Sequence, residues 1–88
     1  MAVYSISYDL IKMGQKYDAL IKEIKTFPNW CHAMDSYWLI SSSLSATQVR
    51  DKLRKHTDNN DLIFVTSISR DYSGWLTQET WDWIDKNI

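Results

Sequence analysis

Apolar and polar residues alternate at the start of the chain. Tyr4, Ile6 and Tyr8 fall on one face, and Val3, Ser5, Ser7 and Asp9 on the other. A period of two predicts a strand over Ala2–Asp9 with one apolar and one mostly polar face. After Gly14 the period lengthens: Tyr17, Leu20, Ile21, Ile24 and Phe27 recur at helical spacing, with Lys16, Lys22, Glu23 and Lys25 turned away. Pro28 is expected to end this helix, because the residue before a proline is pushed out of the α region. Residues 30–34 and 37–42 are two aromatic and apolar runs joined by Asp35-Ser36, a short polar connection that suits antiparallel strands. Ser45 suits the N-cap of a second helix over 46–56, whose Ala46, Val49 and Leu53 form the buried stripe. Asp58, Asn59, Asn60 and Asp61 read as a turn, since Asn and Asp tolerate left-handed backbone. Residues 62–69 return to the β-branched composition of a strand. Gly74 then releases a tail in which Thr77 caps a short helix, 78–87.

The predicted order is strand, helix, strand, strand, helix, strand, then a helical appendage. This βαββαβ order predicts an α+β, ferredoxin-like arrangement: a four-stranded antiparallel sheet with two helices on one face, plus a Trp-rich C-terminal helix. The helices supply the crossovers between the outer strands. Residues 1–73 form the expected domain. Residues 74–88 form an appendage packed on that domain or on a partner chain. A sheet face that meets water should be polar, yet 37–40 and 62–65 are apolar on both faces. The open face is therefore expected to carry an apolar patch of the kind that marks an interface. A homodimer through that face or its edge is the first expectation; a patch covered by the tail is the second.

Composition narrows the classes. Eighty-eight residues point to one small domain with a modest core. A single Cys excludes an intramolecular disulfide, and the Cys/His spacing makes no structural zinc site. Twelve aromatics, five of them Trp, are left to supply the missing stability, alone or across a dimer. A formal net charge of -1 removes the chain-wide basic field of a non-specific nucleic-acid binder. No apolar run approaches the roughly 20 residues that span a bilayer, and the first seven residues lack signal-peptide character. A reducing, cytoplasmic setting without membrane association is the expectation.

Asp9 is the first candidate for chemistry. It ends the first strand and shares the open face with Ser5 and Ser7. Across a two-fold axis, two Asp9 carboxylates could approach, share a proton or hold a hard cation such as Mg2+. Metal-dependent phosphodiester hydrolysis follows from such a site. The plainer reading has Asp9 ending the strand and bonding the turn around 12–14. The second helix is the most basic stretch. Arg50 and Arg54 lie four apart on one face, with Lys55 beside them, and could track a phosphate backbone. The alternative is a solvated helix face with Asp51 paired to Lys55.

Adjacent Cys31 and His32 point to opposite faces of a strand and cannot readily serve one site; Cys31 reads as a small buried hydrophobe. Exposed Tyr37 or Trp38 could stack bases as in an RNA-recognition sheet, although the Lys/Arg-Gly-aromatic signature is missing. The same two rings also suit dimer packing. Trp81 and Ile84 are helix neighbours fit to seal a core or groove. Trp75 and Trp83 are left as candidate anchors for a protein partner.

The residues Val3–Leu10, with Tyr8-Asp9-Leu10 closing the first strand, and Asp35-Ser36-Tyr37-Trp38 resemble two related groups. One is the small CRISPR-associated nuclease family that serves as the spacer-adaptation subunit; the other is the virulence-associated protein D ribonucleases. Asp9 and Ser36 match their strand-ending Asp and the Ser that opens the third strand. The chain looks closer still to short stand-alone, SinR-like relatives of the adaptation subunit. Their characteristic stretches resemble residues 5–10, 58–61 and 74–83 here. The resemblance implies a ferredoxin-like homodimer with paired Asp9 near its interface and magnesium-dependent cleavage of RNA or DNA. Several members of that family act as inert scaffolds, and fold membership does not confer catalysis. Two functions therefore stand: a non-catalytic scaffold or regulator in phage defence or its suppression, or a magnesium-dependent endonuclease using Asp9 from each chain.

Overall fold

In the computed structural model, which describes residues 1–11 and 15–88, seven elements follow one another. They are β1 (Ala2–Asp9), α1 (Gln15–Ile24), β2 (Asn29–Met34), β3 (Tyr37–Ser42), α2 (Ala46–Arg54), β4 (Leu62–Ser67) and α3 (Gln78–Asn87). The strands form one antiparallel sheet in the order β2-β3-β1-β4. The fold is α+β, a four-stranded sheet with three helices.

Register decides which side chain goes where. His32, Trp38, Ile6 and Val65 lie opposite one another across the four strands, and so share a face. On that inner face Tyr4, Ile6, Tyr8, Trp38 and Ile40 pack against Leu20 and Ile24 of α1 and Val49 and Leu53 of α2. The outer row runs Cys31, Leu39, Ser5, Thr66. There Cys31 and Leu39 pack with Ile84 of α3, joined by Trp81, Trp83 and Tyr37. The C-terminal helix therefore packs on its own sheet, against β2.

Local chemistry explains the boundaries. Ser45 caps α2 with a full capping box: its hydroxyl accepts from Gln48 N–H (3.2 Å), and Gln48 Oε1 accepts from Ser45 N–H (2.9 Å). Thr77 caps α3 by accepting from Thr80 N–H at 3.3 Å. Three elements are shorter than periodicity predicts. α1 stops at Ile24, well before Pro28, because the next bonds tighten to i→i+3: Thr26 N–H to Glu23 C=O (3.0 Å) and Phe27 N–H to Ile24 C=O (3.2 Å). The Thr26 hydroxyl takes the same Glu23 carbonyl at 2.6 Å, and the tight turn returns Phe27 to the core. α2 ends at Arg54 in the same way, through His56 N–H to Leu53 C=O (3.0 Å) and Thr57 N–H to Arg54 C=O (3.1 Å). β4 ends at Ser67, although Ile68 N–H still reaches the Val3 carbonyl at 2.8 Å. The turn around 12–14 lies outside the described residues. No helix among the described residues is long and apolar enough to cross a membrane.

Candidate functional site

α3 covers only part of the outer face. The register places Asp9 opposite Leu62, Ser7 opposite Phe64, and Ser5 opposite Thr66. Leu62 is 66% and Phe64 65% exposed. They project from a strand that, among the described residues, pairs with β1 alone. Asp9 is exposed at the same end, and a shallow cleft joins it to Ser7, Leu62 and Phe64. The outcome falls between the two expectations for this face: the tail buries its β2–β3 half, and the β1–β4 half carries an open apolar patch with one carboxylate at its rim.

The β4 edge lacks the devices that usually blunt an edge. Its sequence, Leu-Ile-Phe-Val-Thr-Ser, has no charge and no proline, and its pairing with β1 runs without a bulge. β2, at the other edge, follows Pro28, breaks register between His32 and Met34, and lies against α3.

Ser36 adopts a positive φ of 54° in the β2–β3 turn, within reach of Ser for a single residue but uncommon. Its carbonyl accepts from Tyr8 N–H at 3.2 Å, tying the turn to the end of β1 beside Asp9. On the inner side of that strand end, the buried Tyr8 hydroxyl accepts from Trp38 Nε1 at 3.0 Å. Burial pushes the Tyr8 phenol above its ordinary 10.0, partly offset by the Trp38 hydrogen bond.

Several predicted site residues fall elsewhere. Trp38 is 2% exposed on the helix-covered face, so it serves neither a dimer interface nor a base platform. Its run is apolar on both sides and conceals which residue faces out. His32 stacks on Trp38 at 4.0 Å and 5°, while Cys31 is buried on the other face, as their adjacency requires. Tyr37 lies on the outer face, partly buried under the tail. Trp83 is likewise packed against the outer cluster, whereas Trp75 is 98% exposed.

In the basic helix, Arg50 chelates neighbouring Asp51 through Nε (3.2 Å) and Nη2 (2.9 Å). Arg54 donates to the Asp61 carbonyl at 3.1 Å and so braces the turn before β4. Lys55 is exposed. Arg50 and Arg54 line one shallow cleft with Asp51 and Asp61, and each already holds a protein partner there.

Two polar groups carry more structure than their sequence context signals. Asp61, in the turn, is buried, and its carboxylate accepts from Ile11 N–H (2.9 Å) and Asp58 N–H (2.7 Å). Glu23 of α1 meets His56 Nε2 at 3.0 Å and Lys52 at 4.0 Å, linking the two inner helices. The His56 contact holds the Glu23 carboxyl below its ordinary 4.5, with help from Thr26, Lys52 and Lys55.

No three His, Cys, Asp or Glu side chains among the described residues gather as a metal site. No protein-family model matches the chain, and no solved structure matches it.

Proposed function

We propose that the protein is a homodimeric, ferredoxin-like scaffold or regulator of the kind its sequence resembles, assembled through the β1–β4 side of its sheet. The observation that carries this reading is the bare β4 edge, with Leu62 and Phe64 each about two-thirds exposed beside it. A second copy suits that surface because an edge strand can pair with itself about a two-fold axis, so one patch supplies both halves of the interface. The element order βαββαβ and the sheet order β2-β3-β1-β4, with α1 and α2 on one face, support the ferredoxin-like part of the reading. Phage defence or its suppression is the setting that the resemblance suggests.

Hydrogen exchange as a function of protein concentration tests the assembly. Amides of 62–67 should gain protection as concentration rises, while those of β2 stay constant. Concentration-independent exchange throughout β4 contradicts it.

One observation keeps an enzymatic reading alongside: Asp9 pairs with Leu62 and stands at the rim of the same patch. Packing of two copies face to face over this patch would bring two Asp9 carboxylates toward one axis, the requirement for a shared magnesium, whereas pairing of the β4 edges keeps the two β1 strands three strand spacings, about 14 Å, apart. That reading expects magnesium-dependent cleavage of RNA or DNA, abolished by Asp9→Asn in a variant that still dimerises. Intact RNA and DNA panels after incubation with the wild-type dimer and magnesium remove it and leave the scaffold.

A further inference from the structure

The outer face holds a second feature, beside the β4 patch and under the C-terminal segment. The β2–β3 turn, the 68–76 segment and α3 enclose a pocket of about 270 Å³. That lies just under the roughly 300–1,000 Å³ typical of sites for drug-sized ligands, so its occupant is small. Four aromatic residues from three separate parts of the chain line it: Tyr37 from β3, Tyr72 and Trp75 from the connecting segment, and Trp81 from α3. Met34 and Leu39 complete the floor, and no charged residue lines the wall. Tyr72 stacks on Trp81 with ring centroids 6.2 Å apart and 26° between planes. Trp75, at the mouth, is 98% exposed and Tyr72 41% exposed, so two rings stay available to a ligand.

The charged residues next to these lining residues in sequence are mostly acidic. Asp35 lies between Met34 and Tyr37 in sequence, Asp71 precedes Tyr72, Asp82 follows Trp81 and Asp85 follows Ile84, another lining residue. Residues 71–85 contain no Lys or Arg; Arg70 and Lys86 flank the segment. Aromatic faces carry negative quadrupole potential, and a cation that sheds water among several of them gains from each. Carboxylates just outside the wall raise the local concentration of cations and repel anions.

We propose that this aromatic pocket binds a small alkylated ammonium ion that carries no anionic group of its own. The apolar wall accepts the methyl groups, the rings and the acidic rim accept the charge, and an unalkylated ammonium keeps too much of its hydration to enter. Zwitterions such as phosphocholine, which bring a phosphate to the acidic rim, are selected against. The pocket shares no lining residue with the cleft at the β1–β4 patch.

Choline and its uncharged isostere 3,3-dimethylbutan-1-ol make the direct test, titrated against the full chain while Trp fluorescence and methyl NMR shifts are followed. Choline should bind saturably, at least about 10-fold more tightly than the alcohol, the margin expected when a cation is desolvated against several rings. Phosphocholine should bind more weakly than choline. Tyr72→Leu keeps an apolar side chain at the rim and removes one ring; it should weaken choline several-fold and leave the alcohol unchanged. Tyr72→Phe should retain choline binding. Because Tyr72 is partly exposed, both variants should melt with wild type, and Trp75→Leu provides a second ring deletion at a fully exposed position. Equal binding of choline and the alcohol overturns the proposal, as does no saturable choline binding into the tens of millimolar, or choline binding indifferent to both ring deletions.

Discussion

The two edges of this sheet are treated oppositely. β2 and β4 are both six residues long, but the outward apolar side chains in the middle of β2, Cys31 and Ala33, are small, and those of β4, Leu62 and Phe64, are large. On β2 the outer side chain Cys31 disappears beneath Ile84, and the strand enters after a proline and kinks at a bulge. On β4 Leu62 and Phe64 stand in the open on a regular, uncharged strand. A chain of 88 residues that devotes a Trp-rich helix to covering one edge leaves the other available for a partner. On β2 the outer Cys31 is buried beneath α3 while Trp30 and Met34 stay 40% and 48% exposed; on β4 Leu62 and Phe64 are about two-thirds exposed.

The largest effect should come from removing the cover on the β2 side. Ile84→Ala deletes a side chain that is 5% exposed between α3 and the sheet, and should lower unfolding free energy by about 2–5 kcal/mol. Chemical denaturation measures it, and a loss below about 1 kcal/mol would mean that α3 is only loosely docked. On the bare edge the effects should separate. Phe64→Ala should change the stability of the isolated protomer by no more than about 0.5 kcal/mol, as at other exposed positions. If Phe64 is a central anchor, the same change should raise the dimer dissociation constant by about 30-fold, the equivalent of about 2 kcal/mol. A smaller perturbation is Thr66→Lys, which gives β4 the edge charge it lacks. It should weaken self-association by several-fold in dilution experiments without altering the circular dichroism spectrum.

Least affected should be the inner layer that both edges share. The carboxyl of Glu23 is held below its ordinary 4.5 chiefly by His56. A depressed folded value means that the stabilisation is complete above the unfolded value and is lost as pH falls from there through the folded one. Glu23→Gln should therefore flatten that acid limb of the stability profile while the dimer constant stays unchanged. A dimer constant that moves with Glu23 would tie the helical layer to assembly and blur the distinction between the edges.

Sequence pattern reaches far into this fold but stops at particular physical limits. Helix α3 is legible to the residue because Thr77 and the stripe through Trp81 and Ile84 state its start and face together. The early end of α1 is not, because it depends on one hydroxyl, Thr26, closing a tight turn ahead of the more conspicuous Pro28. Trp38 illustrates a different limit. In a run apolar on both faces, period two carries no information, and the pairing of Trp38 with Ile6 and His32 decides its side. Asp61 belongs to a turn by composition, yet its carboxylate holds the backbone of Ile11, fifty positions away. Asp9 and the β4 patch were visible separately as a strand end and a two-faced strand; the register that sets Asp9 beside Leu62 joins them. The aromatic pocket had no signature, since its walls come from distant segments that only the folded tail brings together.

The measurement closest to the central claim is sedimentation equilibrium of the wild type beside a Leu62→Asp, Phe64→Asp double variant, from low to several hundred micromolar protein. The account predicts a wild-type mass rising to twice the 10.4 kDa of the chain, and a folded double variant that stays at the single-chain mass. A wild type that remains at the single-chain mass throughout, or a double variant that dimerises as well as wild type, would contradict it.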